Sequence, residues 1–179
     1  MIIEEKTLKR EEIFKGRVLT YVLDTVDVNN TIQTREMVFH PGGVGIVAID
    51  DNNMVYLVRQ FRKPYDKAIL EIPAGKLEKG EDPKESALRE LLEETGYKAN
   101  KITSLGEFYP SVGYTNEIIH LYLATSLTKD KQNLDDDEYV DVEKIPLDDL
   151  VDMIMSNDIK DGKTIAGILK AKKFISVKM

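Results

Sequence analysis

The segment Gly75–Tyr97 constrains the fold of this chain more tightly than any other. It reads GKLEKGEDPKESALRELLEETGY. Asp82 is a favourable N-cap residue, Pro83 suits the first helical position, and Glu85 completes a capping box. Gly96 suits the left-handed turn that ends many helices. The sequence therefore predicts one short helix between these two signals.

Apolar and acidic side chains divide this predicted helix. The apolar stripe expected to face the core consists of Leu88, Leu91, Leu92 and Thr95. The acidic residues fall on another side: Glu90, Glu93 and Glu94. Glu90 and Glu94 are four apart, so their carboxylates lie one turn above the other and repel by about 0.2–0.5 kcal/mol. A hard divalent cation such as Mg²⁺ reverses that cost, because it prefers carboxylate and water oxygens. The spacing is therefore compatible with a metal site.

The helix is part of a longer pattern of fixed residues. Gly75 is followed after five residues by Glu81, and after seven more by the run RELLEETG, which starts at Arg89. A glutamate run alone is typical of a solvated helix face, but this extended spacing resembles the Nudix box. That box is the signature of hydrolases that cleave a nucleoside diphosphate linked to another moiety. The fixed polar and glycine positions match, and Tyr97 stands where the box usually has an aliphatic residue.

Composition excludes several other kinds of site. The chain has 179 residues, no cysteine, two histidines and a formal charge of −7. Disulfides, thiolate metal sites and a cysteine nucleophile are therefore excluded, and a multi-histidine zinc site is disfavoured. The negative charge argues against nucleic acid or an anionic membrane as partner. We find no bilayer-spanning apolar run and no signal peptide in the start MIIEEKTLKREEIF, so the expected location is cytoplasmic.

Periodicity along the chain predicts an α+β protein with a mixed β-sheet. The predicted strands are Arg17–Val28, Ile32–His40, Val44–Ile49, Met54–Gln60, Lys67–Ile72, Ile102–Tyr109, Ile118–Thr125 and Tyr139–Ile145. Two further helices are predicted at Leu147–Ser156 and Lys163–Phe174. The turn signal Asn29-Asn30 joins the first two strands into a β-hairpin.

The resemblance to the Nudix family implies a more specific architecture. It implies an α/β/α sandwich for residues 41–179, preceded by an N-terminal β-hairpin-like arm over residues 1–40. The flanks REMVFHPGGVGIVAI, VRQFRKPYDKAILEIPAG and FYPSVGYTNEIIHLYLA resemble bacterial ADP-ribose pyrophosphatases, so the resemblance covers most of the chain. In that subfamily the arm exchanges between the subunits of a homodimer. The implied reaction is Mg²⁺-dependent hydrolysis of ADP-ribose to AMP and ribose 5-phosphate, with Mn²⁺ as a substitute metal.

The resemblance also implies roles for particular residues. The implied metal ligands are the carboxylates of Glu90 and Glu94, Glu93 as a catalytic third ligand or bridge, the backbone carbonyl of Ala74, and Glu138 in a late acidic loop. The base that activates water is Glu138 or Asp136. The residues implied to hold the box in shape are Gly75, Glu81, Arg89 and Gly96. The residues implied to contact substrate are Arg35, Glu36, Arg62, Glu71, Ser111 and Glu117.

One position departs from the subfamily. ADP-ribose pyrophosphatases commonly carry Ser-Pro-Gly after the box, whereas the corresponding stretch here reads Ser111-Val112-Gly113, with Pro110 before it. This change keeps open a preference for another nucleoside diphosphate sugar or a dinucleotide. A Nudix module that binds a nucleotide without hydrolysing it is a further alternative, although the intact glutamates argue against it. A purely structural acidic domain is a third alternative, and it would require the box to match by coincidence.

Overall fold

The structure, a computed structural model, describes residues 2–134 and 139–178. Contacts between Cα atoms divide the chain into two compact units. Unit 1 contains the residues up to Gly42 together with Tyr109–Ile118. Unit 2 contains Gly43–Phe108 together with the residues from Ile119 onward. Among the described residues, no helix has the length and apolar character needed to cross a membrane.

Unit 1 is built on an antiparallel sheet of three described strands in the order β1-β2-β3. These strands are β1 (Lys6–Lys15), β2 (Thr20–Val28) and β3 (Thr31–Phe39). Asn29 and Asn30 have φ of 52° and 66°, the left-handed pair that matches the twist of a two-residue hairpin loop. The predicted hairpin of β2 and β3 is therefore confirmed.

Strand β1 was not predicted, so the description of the arm as a hairpin was incomplete. Its sequence KTLKREEIFK is highly charged, and every residue in it is exposed. It forms by pairing with β2, where Arg10 donates two hydrogen bonds of 2.7 Å to Asp24. Asp24 is only 1% exposed, and the hydrogen bonds from Arg10 lower its pKa. A buried carboxylate on β2 thus explains a charged strand that has no apolar alternation of its own.

Unit 2 contains a mixed sheet, as predicted for an α+β fold. Its strands are β4 (Gly43–Ile49), β5 (Met54–Arg62), β6 (Lys67–Glu71), β7 (Ala74–Lys76), β8 (Tyr97–Phe108), β9 (Ile119–Lys129) and β10 (Val140–Pro146). The main order is β10-β5-β4-β9-β8, with β6 paired to β5 and β7 paired to β4. Strands β4 and β9 run parallel, and the other described pairs run antiparallel. The helices are α1 (Pro83–Thr95), α2 (Leu147–Met155) and α3 (Gly162–Lys178).

Strand β4 lies at the centre of this sheet and is buried along its whole length. Val44, Ile46 and Ala48 point to one face, where they form a core cluster with Ala87 and Leu91 of α1. The alternate residues Val47 and Ile49 point to the other face, in a second cluster with residues of α2 and α3. Because side chains alternate along a strand, one continuous apolar strand packs against α1 on one face and against α2 and α3 on the other.

Asp82 and Gly96 cap α1 at the two ends that the sequence predicted. Asp82 accepts hydrogen bonds from the amides of Lys84 at 2.8 Å and Glu85 at 3.3 Å. Gly96 has φ of 72°, and its amide donates to the carbonyl of Leu92 at 2.8 Å. These caps fix where the helix begins and ends, and thereby where its glutamates lie.

Candidate active site

The buried face of α1 is shifted from the predicted stripe. Ala87 and Leu91 are fully buried, whereas Leu88 and Leu92 are only partly buried. The acidic residues expected on another side share the buried face, since Glu90 is 8% and Glu94 2% exposed. A pattern of apolar residues alone could not show this, because carboxylates are rarely fully buried unless something compensates their charge.

Gly75 allows the close approach of the Glu90 carboxylate to the loop before the helix. A Cβ atom on residue 75 would lie 1.8 Å from both Cδ and Oε1 of Glu90. One residue earlier, the amide of Ala74 donates to Glu94 Oε2 at 3.0 Å. Both buried glutamates therefore face the segment Ala74–Lys76, which pairs with β4.

Arg89 connects the carboxylates around the helix. Its Nη1 donates to Glu90 Oε1 and to Glu93 Oε2, each at 2.9 Å. Its Nε and Nη2 donate to the two carboxylate oxygens of Glu81 at 3.0 and 3.2 Å, and this pairing lowers the pKa of Glu81. The planar guanidinium has five N–H donors, so one arginine can bond several carboxylates at once. Arg89 thus orients three of the glutamates in the predicted box.

The donors at this site suit a hard divalent cation. Two nearly buried carboxylates, Glu90 and Glu94, face a glycine-containing loop in which Gly75 leaves room for the carboxylate of Glu90. Oxygen donors of this type are those that Mg²⁺ and Mn²⁺ take. In residues 2–134 and 139–178, however, no three acidic or histidine side chains already converge as a metal cluster. Glu90 and Glu93 both accept hydrogen bonds from Arg89, and the assignment of Glu90, Glu93 and Glu94 as metal ligands stays a prediction.

A buried carboxylate between two cations lies just before this loop. Glu71 is 2% exposed and accepts hydrogen bonds from Arg62 at 2.6 and 2.8 Å. Lys163, at the start of α3, contacts the same carboxylate. Burial alone raises the pKa of Glu71, but Arg62 and Lys163 together outweigh burial and hold it below its ordinary value. Glu71 and Arg62, predicted separately as substrate contacts, are therefore one ion pair.

These residues line an open cavity of about 610 Å³ in unit 2. Its walls come from β5, β6 and the segment between α2 and α3, and its cationic side chains are Arg59, Arg62, Lys67, Lys160 and Lys163. A volume of this size falls within the range of small-molecule and cofactor sites. Three carboxylates, Glu71, Asp158 and Asp161, also line the cavity, so cations outnumber carboxylates there. On a chain of charge −7, that excess favours an anionic ligand such as a diphosphate.

The other predicted substrate contacts belong to unit 1. Arg35 on β3 is paired with Glu5 through hydrogen bonds of 2.8 and 2.5 Å, and Glu36 lies opposite Leu23 on β2. Glu117 Oε1 lies 3.3 Å from Nδ1 of His40. In the same segment, between Ser111 and Gly113, Val112 is 83% exposed. Nothing in these contacts tests the predicted roles of the four residues Arg35, Glu36, Ser111 and Glu117.

The candidate bases Asp136 and Glu138 lie outside the described residues. The chain that precedes them is attached to the C-terminal end of α1. The amide of Asp130 donates to the carbonyl of Gly96 at 2.7 Å, and the side chain of Gln132 donates to the carbonyl of Glu94 at 2.5 Å. The amide of Asn133 donates to the carbonyl of Glu93 at 3.2 Å. These bonds satisfy carbonyls that a helix end leaves without partners.

The residues that begin α3 were not predicted as part of the site. Lys163 contacts Glu71 and Thr164 accepts a hydrogen bond from the amide of Ile72, both just before the box, while Asp161 accepts the hydroxyl proton of Thr164. The signal was present in DGKT, since Asp before a helix is a favourable N-cap and Lys in the first turn is unusual. Their partners, however, are 92 residues away in the sequence, so the contacts depend on the fold.

Comparisons with known proteins place this chain among relatives that match it over most of its length. The chain is 45% identical to an ADP-ribose pyrophosphatase of Bacillus subtilis (strain 168) over 169 residues, which cover 93% of this chain and 91% of that protein. It is 48% identical to a methanol dehydrogenase activator of Bacillus methanolicus over 171 residues, or 93% and 92% of the two chains.

Its fold matches the crystal structure of an ADP compounds hydrolase with a TM-score of 0.88 at 22% identity, covering 98% of this chain and 96% of that one. The NUDIX domain profile matches residues 39–167, a span that contains both the box and the buried glutamates. Members of that family generally need a divalent metal, in accord with the oxygen donors of α1. The intact box on a capped helix, the fold and the profile match together show that this chain belongs to the NUDIX family of hydrolases.

Proposed function

We propose that this protein hydrolyses the pyrophosphate bond of ADP-ribose, with Mg²⁺, to give AMP and ribose 5-phosphate. The observation that carries the proposal is the pair of buried carboxylates, Glu90 and Glu94, held against the Ala74–Gly75 loop. The similarity to the Bacillus subtilis ADP-ribose pyrophosphatase over most of both chains supports this substrate. Mn²⁺ is the expected substitute, because it accepts the same oxygen donors.

The cation would be held by Glu90, Glu94 and the carbonyl of Ala74, with Glu93 and Glu138 as further ligands. When bound, it supplies positive charge to the non-bridging phosphate oxygens and to the attacking water. Arg89 keeps the carboxylates in position through its hydrogen bonds to Glu81, Glu90 and Glu93.

The chain's own charged residues account for substrate binding and proton transfer. Arg62 presents a guanidinium at the cavity beside Glu71, where it neutralises charge on a phosphate. Glu138 or Asp136 takes a proton from the attacking water, as general-base catalysis requires. We assign the remaining contacts to the nucleotide and the sugar: Arg35, Glu36, Ser111 and Glu117.

A substrate panel tests this proposal. ADP-ribose, ADP-glucose and a diadenosine polyphosphate are incubated with the protein, with and without Mg²⁺, and the products are separated by chromatography. We expect metal-dependent AMP and ribose 5-phosphate from ADP-ribose at the highest kcat/KM. Faster hydrolysis of another compound would support the same class of reaction with a different substrate. It would also indicate that the change at Val112 affects substrate preference. No hydrolysis of any compound would favour the nucleotide-binding module.

A second candidate function follows from the other relative. The 48% identity to the Bacillus methanolicus protein named methanol dehydrogenase activator favours activation of an alcohol dehydrogenase. The test adds the protein to a methanol dehydrogenase and measures the oxidation rate, alongside Glu94→Gln. Stimulation by the wild-type protein alone would make activation depend on the same carboxylate. No stimulation by either protein would reject this function.

We further propose that the arm over residues 1–40 joins two copies of the chain into a homodimer. Strand β1 is exposed along its length, and its apolar side chains Leu8, Ile13 and Phe14 are each more than half exposed. Exposed apolar side chains on one strand are typical of a protein interface. Light scattering should give a mass near twice 20.3 kDa, and Phe14→Ser should shift it toward the monomer. A monomeric wild-type protein would contradict this assignment.

A further inference from the structure

Ile72, which lies between the buried Glu71 and the box loop, is held by α3 at two points. Its amide donates to the hydroxyl of Thr164 at 2.9 Å, and both residues are fully buried. Its side chain packs closely on α3, because a Cβ atom on Gly167 would lie 3.0 Å from Ile72 Cδ1. The start of α3 therefore holds the backbone and the side chain of the residue that precedes the Pro73–Gly75 turn.

The hydroxyl of Thr164 has a fixed orientation. It donates its proton to Asp161 Oδ2 at 2.6 Å, so its lone pairs remain free to accept from the amide of Ile72. The same Asp161 oxygen accepts the backbone amide of Thr164 at 3.0 Å, which caps the helix. One carboxylate thus sets both the start of α3 and the direction of the hydroxyl.

Lys163 adds an ion pair to this attachment. It contacts Glu71, and its Nζ lies 3.1 Å from Asp161 Oδ2. A cation in the first turn of a helix is disfavoured by the helix dipole, so its presence there needs compensation. Glu71 and Asp161 provide it, and they connect the helix start to the strand that leads into the loop.

We propose that Asp161 and Thr164 are positioning residues for the metal-binding loop. They fix the amide of Ile72, and from there the chain runs through Pro73 to the Ala74 carbonyl and to Gly75, against which Glu90 lies. The carbonyl of Pro73, accepting from Ile46 at 2.9 Å, and the amide of Ala74 hold the other side of the turn. This inference rests on the proposed function in one respect, which is that the Ala74–Gly75 segment binds the cation.

The test measures Mn²⁺ binding by the free-ion signal in electron paramagnetic resonance, together with turnover of ADP-ribose. Thr164→Val removes the hydroxyl with little change in volume. We expect its Mn²⁺ dissociation constant to rise about tenfold or more and kcat to fall about 10–100-fold, the usual range for residues that orient a metal site. Thr164→Ser keeps the hydroxyl and should restore both values to within about threefold of the wild type.

A second variant and a control keep the test decisive if Thr164→Val folds poorly. Asp161 is more accessible, with a side chain 20% exposed, and Asp161→Ala should weaken Mn²⁺ binding in the same direction. Lys172→Met removes an ion pair from the same helix, to Asp148, without touching the loop, and should bind Mn²⁺ as the wild type does.

Wild-type Mn²⁺ affinity in folded Thr164→Val or Asp161→Ala would overturn the proposal, as would equal losses in Thr164→Ser or Lys172→Met. A wild-type protein that binds no Mn²⁺ would overturn it as well. A wild type that binds Mn²⁺ but hydrolyses nothing would reject only the proposed function, because the affinity series still decides the positioning role.

Discussion

The carboxylate of Glu90 occupies the space that a side chain on residue 75 would need. An added Cβ would lie 1.8 Å from its Cδ, far inside van der Waals contact. The glycine that opens the box and the first of its paired glutamates are 15 positions apart in the sequence, and this contact is what joins them. The spacing between these two positions of the box therefore follows from the packing of the helix against the segment that precedes it.

Gly75→Ala should displace the Glu90 carboxylate and reduce kcat for ADP-ribose at least about 100-fold, because the proposed metal ligands would lose their geometry. The measurement is steady-state turnover, with circular dichroism as the check on folding. Gly80→Ala is the matched control. A Cβ on Gly80 meets nothing within 4 Å, and its φ of 81° should cost about 1–2 kcal/mol of stability only. Equal activity losses in both variants would contradict the steric explanation.

Glu94→Gln should abolish turnover without unfolding the protein. The amide of Ala74 donates to Glu94, and a glutamine oxygen can still accept that bond, so the loop keeps its position while the charge is lost. We expect kcat to fall at least about 100-fold, as for loss of a group that supports a developing charge. Glu85→Gln on the same helix is the control, since it removes the same charge at an exposed position. Near-normal turnover by Glu94→Gln would reject the metal assignment.

Arg89→Lys should lower both stability and activity, although it conserves the charge. A single ammonium cannot reproduce contacts with Glu81, Glu90 and Glu93 at once. Because the side chain of Arg89 is partly exposed, we expect a loss of about 1–2 kcal/mol in the free energy of unfolding and about tenfold in kcat. Urea denaturation and steady-state kinetics measure these effects. Wild-type values in both would show that charge alone matters at this position.

The lowered pKa of Glu71 leads us to expect a decrease in the free energy of unfolding at acidic pH. Its pKa is below the ordinary value in the folded protein, so its ionised form stabilises the fold above the unfolded-state pKa of about 4.3. That contribution should disappear as the pH falls through the lower folded-state pKa. Urea denaturation from pH 7 down to pH 3 should therefore show a smaller dependence on pH below about 4.5 in Glu71→Gln than in the wild type. Identical pH profiles would mean that another carboxylate dominates.

Local signals in the sequence determined the box helix and much of the sheet. Asp82 and Gly96 are the cap residues they were predicted to be, and Asn29-Asn30 forms the predicted turn. These signals work because capping and left-handed turns depend on one or two neighbouring residues. Family membership was predictable for the same reason, since the box is a pattern of nearby positions.

Tertiary contacts decided what these local signals could not. Strand β1 pairs with β2, where Arg10 reaches the buried Asp24, although nothing in its own pattern indicates a strand. The buried face of α1 includes Glu90 and Glu94 because Arg89 and the Ala74–Gly75 loop compensate their charges.

The sequence by itself therefore determined the family and the order of the proposed metal-binding carboxylates Glu90, Glu93 and Glu94, which are spaced along one helix. Only the tertiary structure revealed that Glu71 lies between Arg62 and Lys163, and that Thr164 holds the amide of Ile72. Such pairings join groups up to 92 residues apart. The partners of these groups depend on the packing of the whole chain. A buried charge needs an opposite charge and a buried amide needs an acceptor, and the tertiary fold determines which residue provides it.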